Sequence, residues 1–470
     1  METPETIVSK LRSYDQEHLL KFWNELSEQQ QQQLLKQIES IDFDLIASLI
    51  KQRDESQGET VSVGRIERAQ SPAQLVRLSD SPESQEAWKK AEKRGNELLE
   101  QGKVGAILVA GGQGSRLGFD DPKGMFPIGP VSGRTLFQVM CEQLVARSRR
   151  HGKPIPYFIM TSEATHEPTV EFFKKNNFFG MGEENVFFFQ QSSLPAVEHD
   201  SSRIHLAEKG RVATSPDGHG GMLRALDKHE LLQVMRDRGI EHLYYHQVDN
   251  PTAILCDPVM LGFHDLHESD LTTKVVEKVS PDEKMGVLVT IDGQTEIIEY
   301  SDLTPEQARM KDEDGNYVFW AGNTAIHVFR RTFIERLLED EFSLPFHIAH
   351  KKVPCVDSSG EPVDPDTPNA HKFEQFIFDA LPKAKVALVV EGVRSREFNP
   401  VKNAEGNDSP ESSRKALQEI TRNWVEKAGG KVNSGATVEV SPLFALDENE
   451  LASKVDPGRE FHEDTVLAPQ

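Results

Sequence analysis

Between residues 18 and 50 the chain reads HLLKFWNELSEQQQQQLLKQIESIDFDLIASLI, and its apolar residues recur at helical spacing. Ser27 with Gln30 has the form of a capping box, and the glutamine run 29–33, followed in step by Leu34 and Leu35, reads as the solvated face of a helix. From 52 to about 82 the composition shifts to Ser, Gln, Arg, Asp and Pro without a clear period, as in a connector. A helix over about 83–101 then leads into the strand VGAILVA. Beyond it, helical stretches at 135–150 and 222–238 alternate with the compact apolar runs PYFIMTS, NVFFFQQ, HLYYHQV, KVVEKV and GVLVTI. That alternation predicts an α/β fold with a mainly parallel sheet. The phenylalanines of NVFFFQQ, FFKKNNFFG and KFEQFIFD are expected in the core. Past KVALVVE the pattern weakens, with a loop-rich stretch at 397–415 and a helix and strands expected to close the chain.

A length of 470 residues exceeds one ordinary core, and three segments are expected: 1–100, 101–385 and 386–470. No apolar run approaches the roughly 18 residues of a membrane span, so none is predicted. The start, METPETIVSKLRSYDQEH, lacks the basic-then-apolar layout of a secretory signal. Cys141, Cys256 and Cys355 are odd in number and widely spaced, which suits neither a disulfide framework nor a zinc site and points to a reducing cytoplasm. With 53 Lys plus Arg against 76 Asp plus Glu, a net charge of -23 repels a nucleic-acid backbone. One small anion held by a few focused cations remains compatible with it.

The stretch VGAILVAGGQGSRLGFDDPKGMFPIG, residues 104–129, carries the candidate chemistry. In open α/β sheets ligands gather beyond the carboxyl ends of strands, and residue 110 is such an end. Gly111, Gly112, Gly114 and Gly118 let backbone amides approach phosphate oxygens, and Arg116 and Lys123 add positive charge. A kinase-type phosphate loop would need Gly-Lys-Ser/Thr, but Gly118 precedes Phe119. The dinucleotide fingerprint needs glycines at relative positions one, three and six; Gly112, Gly114 and Gly118 stand at one, three and seven, which disfavours a nicotinamide cofactor. As glycines alone, they could equally shape a surface turn.

The whole string, Gly-Gly-Gln-Gly-Ser-Arg-Leu-Gly followed by Pro-Lys-Gly-Met, resembles the signature of sugar-nucleotide pyrophosphorylases. Further segments resemble, in order, the eukaryotic-type UDP-N-acetylglucosamine pyrophosphorylases: QEHLLKFWNEL, FFQQSSLPA, SPDGHGG, VDNP, KVVEKVSPDEKMGV, EYSDL, AGNTAIH, KFEQFIFD, FNPVKNAEG and SPLFALDE. The resemblance implies a Rossmann-like mixed central sheet of glycosyltransferase-A type, with a helical N-terminal domain and a small α+β C-terminal domain. It implies uridylyl transfer from UTP to N-acetylglucosamine 1-phosphate with Mg2+. On the matching positions, Val109, Ala110, Gly111 and Gly112 hold the nucleotide, and Gln191 and Gly218 meet uracil. Lys123, Lys402 and Lys372, the last expected on a helix beside His371, face phosphates, Asp249 stands near the metal, and His219, Glu299 and Asn323 meet the sugar.

These residue types suit the chemistry, because phosphoryl transfer is mostly positioning and charge neutralisation among anions. A phosphate monoester with a second pKa near 6 attacks without a strong base. The departures fall at Ser115 in place of threonine, at Pro251 after Asp249-Asn250, and at His219, where the family carries asparagine. An imidazole offers different hydrogen bonds from an amide, so the sugar preference could extend to N-acetylgalactosamine, glucose or galactose 1-phosphate. A rival from another class is a silent nucleotide-sugar-binding protein, against which the joint presence of Arg116, Lys123, Asp249 and Lys402 speaks.

Overall fold

The computed structural model describes residues 5–56, 63–339 and 343–469. The chain divides into two compact units that do not follow the expected segments: one takes residues up to 63, 191–222 and 344–379, the other 64–190, 223–343 and 380 onward.

In the first unit the amphipathic stretch near the N-terminus forms α1 (Glu5–Ser13), α2 (Glu28–Ser40) and α3 (Phe43–Ser56). The capping box forms: Ser27 Oγ accepts from the Gln30 amide and Gln30 Oε1 from the Ser27 amide at 3.0 Å. Leu11, Leu19, Leu34 and Ile38 are fully buried with Val197, Ile204, Val212 and Phe373. A separate N-terminal domain over 1–100 therefore does not form, because the apolar faces of these helices are covered by chain that comes much later. One glutamine of the run is not solvated. Gln31 shares the face of Leu34, Leu35 and Ile38, is buried, and donates to the Trp23 carbonyl at 3.0 Å. A three-stranded antiparallel sheet, ordered His347–Lys351, Ala370–Glu374, Val197–Glu198, completes the unit.

The second unit is built on a ten-stranded sheet among the described residues. Its strands are β1 (Leu75–Val76), β2 (Val104–Val109), β3 (Tyr157–Thr161), β4 (Val186–Gln190), β5 (His242–Gln247), β6 (Leu271–Glu277), β7 (Val287–Ile291), β8 (Gln294–Ile298), β9 (Ala321–Arg330) and β10 (Ala387–Glu391). The spatial order is β1-β10-β6-β9-β5-β2-β3-β4, with the β7–β8 hairpin joined to β9. Only β9 runs against its two neighbours; the other pairings along the order are parallel. The expected mixed α/β sheet is thus present. Two segment boundaries shift, since β1 comes from the stretch read as a connector and β10 lies past residue 385. The helix expected over 222–238 is broken at Glu230, which adopts φ 58°. Near the C-terminus α7 (Pro410–Lys427) and two short strand pairs enclose a core of Val425, Val438, Leu451, Val455 and Phe461, an α+β lobe as the resemblance implies. Among the described residues no helix is long and apolar enough to cross a membrane.

Helices α4 (Pro82–Glu100), α5 (Leu136–His151) and α6 (Pro258–Leu266) pack on the sheet. Helices α4 and α6 cross with glycine on both sides. A Cβ on Gly262 would stand 1.7 Å from the Ala91 carbonyl oxygen, and one on Gly95 would stand 1.8 Å from that of Pro258. Gly262→Ala is expected to lower stability by about 1–3 kcal/mol, the usual cost of overpacking. Thermal unfolding followed by circular dichroism checks this, and an unchanged midpoint would mean that the helices can separate freely.

The sheet also buries imidazoles. His242, His246 and His264 are at most 1% exposed. His246 shares a hydrogen bond with the Tyr157 hydroxyl at 3.0 Å. Burial pushes His246 down to about 3, His242 down to about 4 and His264 well below the ordinary value. Between pH 6.5 and 4 the unfolded chain therefore binds more protons than the folded one, and stability falls on acidification. Urea unfolding at pH 7.5 and pH 5 is expected to show a loss of about 1 kcal/mol per histidine per pH unit below 6.5. Equal stabilities would contradict the burial of neutral rings.

Candidate active site

Strands β2 and β5 pair in parallel as far as Gln247 opposite Val109, so the glycine loop and Asp249 leave the sheet side by side at its carboxyl edge. The Ala110 amide is tied to Met160 O at 2.8 Å, and Val109 O accepts from Val248 N at 3.2 Å. Beyond Ala110 the loop folds back on itself. Gly114 N donates to Asp121 O at 3.0 Å, Gln113 bridges Pro122, and Lys123 N donates to Gly112 O at 3.1 Å. This return explains why a proline-lysine pair follows the glycines: it sets Lys123 beside Gly112. Gly118 makes the turn at φ 67°, a conformation that favours glycine. A Cβ on Gly112 would meet nothing within 4 Å, so this backbone faces open space that a ligand can approach.

Two residues that fix the loop were not singled out in the sequence. Ser162 Oγ donates to Gly111 O at 2.7 Å, and Thr165 Oγ1 reaches Ala110 O at 3.5 Å. Ser162 N in turn donates to Thr165 Oγ1 at 3.0 Å, ahead of the helix His166–Lys175. The Ser-x-x-Thr spacing between a strand and a helix was the available signal. These hydroxyls fix the carbonyls of Ala110 and Gly111, and with them the start of the loop.

Lys123 is where the charges meet. Burial holds its ammonium below the ordinary lysine value; Asp249 opposes this, and Lys402 and Arg116 reinforce it. Those four predicted residues are therefore brought within electrostatic reach of one another. Lys402 arrives on the loop after β10, anchored where Val401 N donates to Asp249 O at 2.7 Å and Lys402 N to Asp408 O at 2.6 Å. Its ammonium lies 5.3 Å from the Phe398 ring centroid. The Asp408 carboxyl is raised, first by burial, while Lys402 and Arg394 pull it down. Such an arrangement favours a polyanion next to Gly112.

One strand over, Glu299 and Asn323 flank Gly286. Asn323 N donates to Gly286 O at 2.9 Å, and a Cβ on Gly286 would come within 2.9 Å of Glu299 Oε1. Asn323 begins a bulge in β9, where its Oδ1 accepts from Ala325 N at 3.0 Å and Ala325 takes φ 56°.

The first unit carries the other predicted residues. Gln191 follows β4 directly and is half-buried. Gly218 takes φ 83°, and a Cβ there would lie 2.4 Å from Gln375 O; Gln375 N donates to Asp217 O at 2.7 Å and Gly220 N to Gln375 O at 2.8 Å. His219 is half-buried beside Phe376 and Phe378, with ring centroids 5.5 and 5.6 Å away. Its Nδ1 accepts from Ile377 N at 3.1 Å. That acceptor role leaves the ring proton on Nε2. Burial pushes His219 down to about 4, with Asp379 pulling the other way, so the ring is neutral at pH 7. Phe376 and Phe378 are not core residues as expected: both are half-buried and stack on each other at 5.1 Å. Lys372 stands on the strand Ala370–Glu374, not on a helix, opposite Ala349.

Known proteins resemble this chain along most of its length. The family model described as UTP–glucose-1-phosphate uridylyltransferase matches residues 44–461. The human UDP-N-acetylhexosamine pyrophosphorylase-like protein 1 is 36% identical, covering 99% of this chain and 97% of its own. The UDP-N-acetylglucosamine pyrophosphorylase of Saccharomyces cerevisiae is 38% identical over 77% of each chain. The crystal structure of the uridine diphosphate N-acetylglucosamine pyrophosphorylase from Trypanosoma brucei in complex with inhibitor superposes with a TM-score of 0.82 at 26% identity, covering 97% of this chain and 95% of that one. Matched along nearly its whole length in sequence and in fold, the chain belongs to the UTP–glucose-1-phosphate uridylyltransferase family and, within it, to the eukaryotic-type UDP-N-acetylglucosamine pyrophosphorylases.

Proposed function

We propose that the chain is a uridylyltransferase that converts UTP and N-acetylglucosamine 1-phosphate to UDP-N-acetylglucosamine and pyrophosphate. The observation that carries this reading is the gathering of Lys123, Lys402 and Arg116 with Asp249 at the open edge of the glycine loop, in a chain of this family. In the reaction an oxygen of the sugar phosphate attacks the α-phosphorus of UTP. The bond to the bridging oxygen of the β-phosphate breaks, and pyrophosphate leaves with that electron pair. Both partners and the leaving group are anions, so the residues act by neutralising charge and holding the reactants in line. In this reading the amides of Gly111 and Gly112 and the side chains of Lys123 and Arg116 take the triphosphate. Lys402 and Lys372 take the remaining phosphate charge, Gln191 and Gly218 the uracil, and Glu299, Asn323 and His219 the sugar.

Asp249 fits a magnesium ion held jointly with substrate. Among the described residues no group of three His, Cys, Asp or Glu could hold a metal ion. Magnesium commonly takes only one or two carboxylates and completes its shell with phosphate oxygens. The ion would supply further neutralisation of the triphosphate, while this chain's part is to present one half-buried carboxylate next to Lys123. A reducing, cytoplasmic location is supported by the free thiols Cys141, Cys256 and Cys355.

A second reading, with broader sugar preference, is favoured by His219. Its Nδ1 is occupied by Ile377 N, so it offers a sugar one donor at Nε2, where the family's asparagine amide offers both a donor and an acceptor.

The experiment is pyrophosphate release from UTP with a panel of sugar 1-phosphates, with and without magnesium. Turnover of N-acetylglucosamine 1-phosphate that requires magnesium is expected, and turnover of none of the sugars would sink the enzyme reading. Lys123→Ala is expected to lower kcat by about 100-fold or more with an unchanged circular dichroism spectrum. Full activity in that variant would remove Lys123 from the site. His219→Asn is expected to change the ranking of sugars more than the KM for UTP, and an identical ranking would place the ring away from the sugar.

A further inference from the structure

Lys274 is buried in the middle of β6, 3% exposed, and is not among the residues assigned to the reaction. Its ammonium lies between two carboxylates. Asp257 Oδ2 is 2.7 Å away, and Glu397 Oε2 pairs with it directly. The two carboxylates have different duties. Asp257 caps α6, where its Oδ1 accepts from Val259 N at 3.0 Å. Glu397 closes the turn after β10, where its Oε1 accepts from Val393 N at 3.0 Å.

From Glu397 a continuous set of buried and part-buried hydrogen bonds leads to the charges around Lys123. The Glu397 carbonyl accepts from Asn250 Nδ2 at 2.7 Å. Asn250 Oδ1 accepts from Asn399 N at 3.2 Å and from Thr252 Oγ1 at 3.0 Å, and Asn399 Nδ2 donates to Thr252 Oγ1 at 3.0 Å. Two residues further on, Val401 N meets Asp249 O. One side of this lattice is the residue next to Asp249, and the other is the strap 397–402 that ends in Lys402. The Lys274 backbone takes part as well: its carbonyl accepts from Thr324 Oγ1 at 2.7 Å, inside the bulge that begins at Asn323.

Resting on the uridylyltransferase reading, we infer that Lys274 is a positioning residue: through Glu397 and Asn250 it fixes where Asp249 and Lys402 stand relative to each other, without touching either. An ion pair that only held the fold together would not need the Glu397 arm to run into the strap that carries Lys402. A buried lysine between two carboxylates is also costly to keep unless each contact is satisfied, and here Glu397 meets both Lys274 and the Val393 amide.

The test separates the two arms. Glu397→Gln keeps an acceptor for Val393 N but loses the charge that meets Lys274; Asp257→Asn cuts only the arm to the α6 cap. Pyrophosphate release per folded molecule and thermal unfolding are measured for each. For Glu397→Gln the expectation is a kcat lower by roughly 10- to 100-fold, since small misplacements of catalytic groups cost this much, with the KM for UTP within about threefold of the unmodified value. Asp257→Asn is expected to lose melting temperature with a much smaller loss of kcat. If Glu397→Gln does not fold, Asn250→Ala cuts the next link without leaving a charge unpaired and carries the same expected loss. A kcat for the folded variant at the Glu397 arm no lower than that of Asp257→Asn overturns the inference while leaving the activity standing. An unmodified protein that releases no pyrophosphate overturns the activity and the inference with it.

Discussion

Three cations, Arg116, Lys123 and Lys402, are held within electrostatic reach of Asp249 at the carboxyl edge of a buried sheet. Burial first, and then the like charges of Lys402 and Arg116, lower the affinity of Lys123 for its proton, so the gathering carries a cost. The surrounding structure is organised to sustain that strain. Parallel pairing of β2 with β5 sets the strand ends level, the returning loop brings Lys123 back to Gly112, and the strap after β10 delivers Lys402. An anion entering this space relieves the repulsion, which is the energetic basis for binding a triphosphate in a chain whose overall charge is strongly negative.

Much of this was legible in the sequence because its signals are local. The capping box at Ser27 and Gln30, the strands VGAILVA and HLYYHQV and the glycine loop each rest on neighbouring residues, and each forms where expected. The domain layout was not legible, since it depends on which distant segment covers an apolar face. Nothing in residues 5–56 says that Val197 and Phe373 will complete their core. The same holds for Gln31, whose burial follows from the Trp23 carbonyl above it, and for Leu75–Val76, which becomes a strand because β10 offers an edge.

The candidate site shows the same division. Lys123, Asp249 and Lys402 were picked from their motifs, and the structure brings them within electrostatic reach of one another. Ser162, Thr165 and Asn250 escaped, because a hydroxyl or an amide that secures a backbone carbonyl leaves no pattern that distinguishes it from a turn or a cap. Lys372 and the pair Phe376 and Phe378 were misread in their surroundings rather than in their identity. A five-residue strand whose neighbour comes from another part of the chain carries too little period to be told from a helix.

The first unit is threaded from three pieces of chain, and this bears on how the protein is made. Its N-terminal helices leave the ribosome early, yet the segments that cover them, 197–212 and the strand holding Phe373, are translated much later. At roughly 5–20 residues per second the wait is tens of seconds, during which Leu11, Leu34 and Ile38 have no native cover from those strands. Over that interval the apolar faces of these helices stay without their native partners for as long as translation takes to reach the strand holding Phe373.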